Sequence, residues 1–214
     1  MTDIFQEVDE EVRHDRYKKL WRQYGWIVVT AAVLVVLGVG GYEGWKAYER
    51  DQQLGESSQY SQALNKAENG NLDGGISELS TLAEEGSYGY SELASFEAAR
   101  LRIENGDLDG GIAAYREIAQ DSGTDQSLRS MARLLAVMHG LDRGEPAALE
   151  ADLEPLTQEG NPFRPAALEL GALLALRQGD TETARQRYTL ISDDATAPQG
   201  IRTRAAQMLA ALGE

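Results

Sequence analysis

Side chains able to do chemistry are few in this sequence and poorly placed for it. Cysteine is absent and there are only two histidines, His14 and His139. A long apolar stretch separates them, so they cannot share a site. Without cysteine there is no thiol nucleophile, no thiolate metal site and no disulfide framework. Carboxylates abound, with 35 Asp and Glu against 20 Lys and Arg and a formal charge of −15. That balance argues against nucleic acid as a partner, because phosphate binding relies on Lys and Arg to displace counterions.

Two segments have the alternating oxygens of a calcium loop, Asn69-Gly70-Asn71-Leu72-Asp73 and Asn105-Gly106-Asp107-Leu108-Asp109. Neither completes the pattern: Thr81 or Leu82, and Glu117 or Ile118, fall near the place where a twelve-residue loop needs its last carboxylate. Helix capping explains these residues better. The glycines belong to turns rather than phosphate cradles, since no strand precedes them. The sequence therefore predicts no catalytic residue, metal or cofactor, and an exported enzyme is set aside.

What positions the capping residues is a repeat. Gly70-Asn71-Leu72-Asp73-Gly74-Gly75-Ile76 recurs as Gly106-Asp107-Leu108-Asp109-Gly110-Gly111-Ile112, with weaker echoes at Gly144-Glu145-Pro146 and Gly179-Asp180-Thr181. The steps are 36, 38 and 35 positions, a period that marks stacked supersecondary units. Each glycine is expected to end one helix in a left-handed conformation, and Asn71, Asp107 or Asp180 to cap the next. Apolar residues then return at helical spacing: Ile76, Leu79 and Leu82; Ile112, Tyr115 and Ile118; Leu149, Leu153 and Leu156; Ala184, Tyr188 and Ile191. A single hairpin of this size cannot bury its apolar face, but a neighbour covers it. Segments 127–141 and 166–176 are apolar nearly all round and belong in the middle of the stack. A closing helix, about 198–212, keeps Arg202, Arg204 and Gln207 and serves as the cap.

Ahead of the repeats lies WIVVTAAVLVVLGVGGY, from Trp26 to Tyr42, uncharged throughout. As a helix it spans about 25 Å, and its flanks bring it near the roughly 30 Å of a bilayer core. Trp21, Tyr24 and Trp26 at one end, and Tyr42 and Trp45 at the other, are interface anchors. The acidic residues before it, and the bulky Trp45 two positions ahead of Ala47, argue against a cleaved signal peptide. Arg13, Arg16, Lys18, Lys19 and Arg22 crowd the near side, against Lys46 and Arg50 on the far side, so the N-terminus is expected in the cytoplasm. Within the tail Ile4, Phe5, Val8 and Val12 recur at helical spacing, as in a short docking helix, the alternative being a frayed and solvated tail. Gly40 and Gly44 have the spacing at which a second helix can approach, offering a homo-oligomer face. The expected organisation is all-α: a charged tail over 1–24, a transmembrane helix over 25–44, and an α-solenoid of helical hairpins over 45–214.

Gly106-Asp107-Leu108 with Gly111, Tyr115 and Ile118 resembles the second helix of a tetratricopeptide repeat. Gly179-Asp180, Ala184, Tyr188 and Ile191 repeat the pattern, and Leu170-Gly171 with Leu174 resembles the first-helix signature. Gly75 and Gly111 stand where the repeat has alanine, and its closing proline is largely missing. As a whole the chain resembles the YfgM-type ancillary subunits of the Sec translocon. That resemblance implies a non-enzymatic protein of the bacterial inner membrane, its solenoid in the periplasm beside the protein-export channel, working with an anchored periplasmic chaperone on emerging polypeptides. The alternative is a scaffold for a division or cell-wall assembly. Phe96, Arg100, Met131, Leu134 and Met138 are the candidate lining of a partner groove on the first helices of the hairpins, the alternative being that these side chains are simply core. Ser87-Tyr88-Gly89-Tyr90 is a second contact candidate.

Overall fold

The computed structural model describes residues 3–87 and 89–213, with side chains from Trp21 onward except Val28. The side chains of His14, Arg13, Arg16, Lys18 and Lys19, and the whole of Tyr88, lie outside the described residues. The described chain is helical and contains no strand. The order is α1 (Asp3–Glu68), α2 (Leu72–Glu85), α3 (Tyr90–Glu104), α4 (Leu108–Gln120), α5 (Gln126–Gly140), α6 (Pro146–Leu153), a 3₁₀ turn (Glu154–Leu156), α7 (Arg164–Arg177), α8 (Thr181–Asp193) and α9 (Gln199–Ala211). Contacts divide it into two compact units, Met1–Gly55 and Glu56–Glu214.

In the first unit the described apolar side chains of α1 leave no face covered. Val33, Leu34, Val35, Val36, Leu37 and Val39 are all more than half exposed, although a helix of a soluble domain would bury one stripe of such residues. The one hydroxyl in the run before the closing Tyr42, Thr30 Oγ1, donates to the Trp26 carbonyl at 2.8 Å. Its polarity is thus satisfied within the helix, as hydrocarbon requires. Trp21, Trp26, Tyr42 and Trp45 are exposed at the two ends, with Lys46 Nζ 6.0 Å from the centre of the Tyr42 ring. By length and composition this helix can cross a membrane.

The second unit is the repeat made solid. Gly70, Gly106 and Gly179 have φ of 87°, 88° and 79°, the left-handed region where a Cβ clashes. At each, the next residue's N–H reaches back to the last full turn of the helix: Asn71 to the Lys66 carbonyl, Asp107 to Arg102 and Asp180 to Ala175, at 3.0, 2.9 and 2.9 Å. This is the double closure of a Schellman motif. The same residues then cap α2, α4 and α8, their side chains accepting from the N–H of Gly74, Gly110 and Thr183 at 3.0 Å each. Capping is therefore the work these oxygens do.

A Cβ on Gly75 would lie 2.9 Å from the Ala63 carbonyl oxygen, and one on Gly111 would lie 2.8 Å from that of Ala99. The two helices of these hairpins thus pack closer than an alanine there would allow. At the matching place in the last hairpin Ala184 is fully buried.

The third hairpin departs from the pattern. Glu145 takes the capping role, accepting from the Ala148 N–H at 2.8 Å. Pro155 cannot donate the helical hydrogen bond, so α6 stops at Leu153 and a 3₁₀ turn carries Leu156 into the core.

Four apolar clusters hold the stack, and each joins three consecutive helices. Ala63, Leu79 and Leu101 belong to the first; Ala99, Ile112, Tyr115 and Ala136 to the second. Val137, Leu149, Leu153 and Leu174 form the third, and Ala172, Tyr188, Ile191 and Ala205 the last. The expected core positions fill as the 3.6-residue spacing requires, except that Ile76 is only partly buried. Alanines are frequent among the buried residues of α3, α5 and α7, where Leu101, Val137 and Leu174 join the large residues of α2, α4, α6 and α8. Ion pairs tie neighbouring hairpins: Arg116 to Asp152 at 3.0 Å, Arg187 to Glu150, and Arg204 to Glu169 at 2.7 Å. At the surface each is worth at most about 1 kcal/mol, so the apolar clusters carry the stability.

Candidate functional site

The expected groove residues fall on α3 and α5: Arg100, Met131 and Met138 are exposed, while Phe96 and Leu134 pack partly against the cores. On α3, Phe96 is half-buried and Arg100 is exposed. The Phe96 ring lies 6.0 Å from Tyr115, and Tyr115 stacks in parallel on His139 at 5.9 Å. This aromatic ladder runs from α3 through α4 to α5. Burial pushes the His139 imidazole below its ordinary pKa, so the ring is neutral at pH 7 and packs as an aromatic.

Arg100 is not a free cation. Its Nε donates to both Glu97 oxygens at 3.0 Å, and its Nη1 donates to Glu104 at 2.7 Å. These bonds raise its already high pKa further, so the group is permanently charged but locally outnumbered by two carboxylates. Burial, with Glu97 as second cause, also raises the Tyr60 and Tyr115 phenols.

On α5, Met131 and Met138 are 42% and 47% exposed and lie two turns apart on one stripe. Leu134 packs partly against the cluster of Val137 and Leu149, while Leu135 packs against that of Ala132 and Ala136. The structure thus leaves Arg100, Met131 and Met138 open, and uses Phe96 and Leu134 partly as core. Leu93, 54% exposed, joins this face one turn before Phe96. Its place at i−7 from Arg100 is the signal that could have found it. Ser87 is held in the stack: its N–H and Oγ donate to the Glu56 carboxylate at 2.8 and 2.5 Å.

A cleft of about 520 Å³ opens on the other side of α3. Its base is Ser91, Ser95, Ala98 and Arg102, spaced four, three and four apart along one helix face. Phe96 and Arg100 are on the opposite face, so none of the expected groove residues lines this cleft. Sequence spacing alone had no reason to mark it, because its walls come from α2 and α4. Among the described residues no group of three or more His, Asp or Glu is placed to hold a metal ion.

The molecule is thus a repeat of capped helical hairpins whose exposed faces offer apolar and charged side chains, with no convergent reactive group among the described residues. That is the build of a protein-interaction module. Residues 18–213 match the family model of the tetratricopeptide repeat-like domain, and the chain belongs to that family. No curated protein and no solved structure matches it.

Proposed function

We propose that this chain is a membrane-anchored adaptor that binds partner proteins or exported polypeptides next to the Sec translocon. In this reading residues 25–44 cross the bacterial inner membrane and residues 1–24 stay in the cytoplasm. Residues 45–214 stand in the periplasm, where the α3 and α5 face meets its partners. The observation that carries it is the union of an apolar helix, no face of which is buried among the described residues, with a repeat domain of a protein-binding family. The basic cluster at Arg13, Arg16, Lys18, Lys19 and Arg22 supports the orientation. Met131 and Met138 support varied clients, since an unbranched thioether repacks against many shapes. The export channel and an anchored periplasmic chaperone, as partners, rest on the resemblance to the YfgM-type subunits. In α1 nothing lies within 4 Å of a Cβ placed on Gly40 or Gly44, which leaves room there for a second copy.

The test is photo-crosslinking in cells from a reactive amino acid at Arg100, Met131 or Met138. Adducts with channel components, the chaperone or exported chains are expected. Adducts confined to division or cell-wall proteins would replace this reading with the scaffold one, and an absence of adducts from all three positions would remove it.

A further inference from the structure

The cleft on the far side of α3 has a chemistry of its own. Its apolar surface is small and smooth, made by Ala83, Ala98, Ala114 and Ile118. Around it stand Glu84, Glu92, Glu117 and Asp121, opposed inside the cleft by Arg102 alone. Its volume is within the range of ligand sites, and it lies between two helices over a third. That shape admits an extended chain rather than a globular knob.

Two of the four carboxylates are occupied. Glu92 accepts from the Gly89 N–H at 2.6 Å, and Asp121 accepts from the Gly123 N–H and the Thr124 hydroxyl at 2.9 Å each. Glu84 and Glu117 are exposed, and their side chains have no hydrogen bond or ion pair among the described residues. Both belong to the closing turns of their helices, α2 and α4, where the backbone dipole is negative and a carboxylate is disfavoured. Neither helix has a basic residue in its last turn, a lack they share with α6, α8 and α9, whereas α3 and α7 carry Arg102 and Arg177 in theirs. In the last hairpin the acid that follows α8, Asp194, which corresponds to Asp121 after α4, pairs with Arg164 at 3.5 Å. At the cleft no such partner is supplied to Glu84 or Glu117. Two carboxylates without a partner beside one concavity leave it a negative potential that a cationic ligand would complete.

We propose that the cleft between α2 and α4 docks an extended, lysine- or arginine-bearing segment of a partner polypeptide. Its cationic heads meet Glu84 and Glu117, and their methylene stems lie along the alanine floor. Arg102, half-buried at the base, is placed to donate to the segment's backbone carbonyls. The site occupies the face of α3 opposite Phe96 and Arg100, so both surfaces can be filled at once. It rests on the family's protein-binding role and not on the identity of the partner at the other face.

The test uses the full-length chain in phosphatidylcholine nanodiscs and a fluorescein-labelled peptide alternating lysine with alanine, which puts every cation on one side of an extended strand. Anisotropy is read near physiological ionic strength, where charges beyond about 8 Å are screened. Saturable binding is expected. Glu84→Gln/Glu117→Gln should weaken it about tenfold or more, as loss of a paired charge does. Glu154→Gln/Glu159→Gln, removing equal charge from exposed positions elsewhere, should change it less than about twofold, within the usual range for rim charges. Met131→Glu/Met138→Glu should leave it intact. Absent saturation, equal weakening by both glutamine pairs, or loss only in the methionine variant would each overturn the proposal.

Discussion

Replacing Gly75 by alanine sets two effects of known size against each other. Alanine is the better helix former by about 0.8–1 kcal/mol, and in an open helix it would raise stability. Here the new methyl would lie 2.9 Å from both the Ala63 carbonyl oxygen and the Ala67 Cβ. Neither atom can rotate away, so α1 and α2 must separate. Overpacking of this kind costs about 1–3 kcal/mol, and a backbone carbonyl as the obstacle places Gly75→Ala toward the upper end. The net expectation is a loss of about 1–2 kcal/mol. For a domain of this size each kcal/mol moves the melting temperature by about 2–4 °C, so circular dichroism in detergent should show a fall of about 2–8 °C. Gly111→Ala should act in the same direction, though Ile103 can yield where Ala67 cannot. Gly200→Ala, in α9, meets only Arg204 Nη1 at 3.8 Å and should be neutral or stabilising. A rise in melting temperature for Gly75→Ala would show that the helices do not approach as described, and the reading of the doubled glycine would fall with it.

Three further outcomes follow from the same packing. Leu149→Ala or Leu174→Ala, each at a fully buried side chain of the third cluster, should cost about 2–5 kcal/mol by denaturant titration. His139 has a folded pKa below its unfolded value because of burial. Between those two values the unfolded state binds more protons, so stability should fall as pH drops through the ordinary histidine range; His139→Phe, keeping the stack on Tyr115, should flatten the decline between about pH 7 and 5. Asp180 and Asp194 are held below the usual carboxylate range, first by the Thr183 and Thr196 side chains and then by their N–H groups. Their contribution is present above the ordinary Asp pKa and lost as pH falls through the lowered one, so Asp180→Asn/Asp194→Asn should reduce the acid sensitivity of melting below about pH 4.

The hairpins were legible because their signals are local. A left-handed glycine followed by Asn71, Asp107 or Asp180 sets each turn within a few residues, and the 3.6-residue spacing of Leu149, Leu153 and Leu156 marks a core face without any partner in view. Even so, Pro155 between the last two of these made a 3₁₀ turn rather than a longer α6. The binding surfaces were less legible because they are properties of neighbours. Which core Leu134 and Leu135 each join depends on how the neighbouring helices pack against α5. Arg100 is a groove candidate by its place on α3, but its hydrogen bonds to Glu97 and Glu104 depend on how the side chains are placed. The cleft draws its walls from α2 and α4 and its base from α3, so no single window of sequence contains it.

Because the native chain has no cysteine, one engineered thiol at a time can report its own compartment. Gln6→Cys marks the tail and Glu159→Cys an exposed turn of the solenoid. With a membrane-impermeant maleimide added to intact spheroplasts, Glu159→Cys should label at once and Gln6→Cys only after lysis. Labelling of Gln6→Cys alone in intact cells, or of neither before lysis, would contradict an anchored solenoid on the exported side.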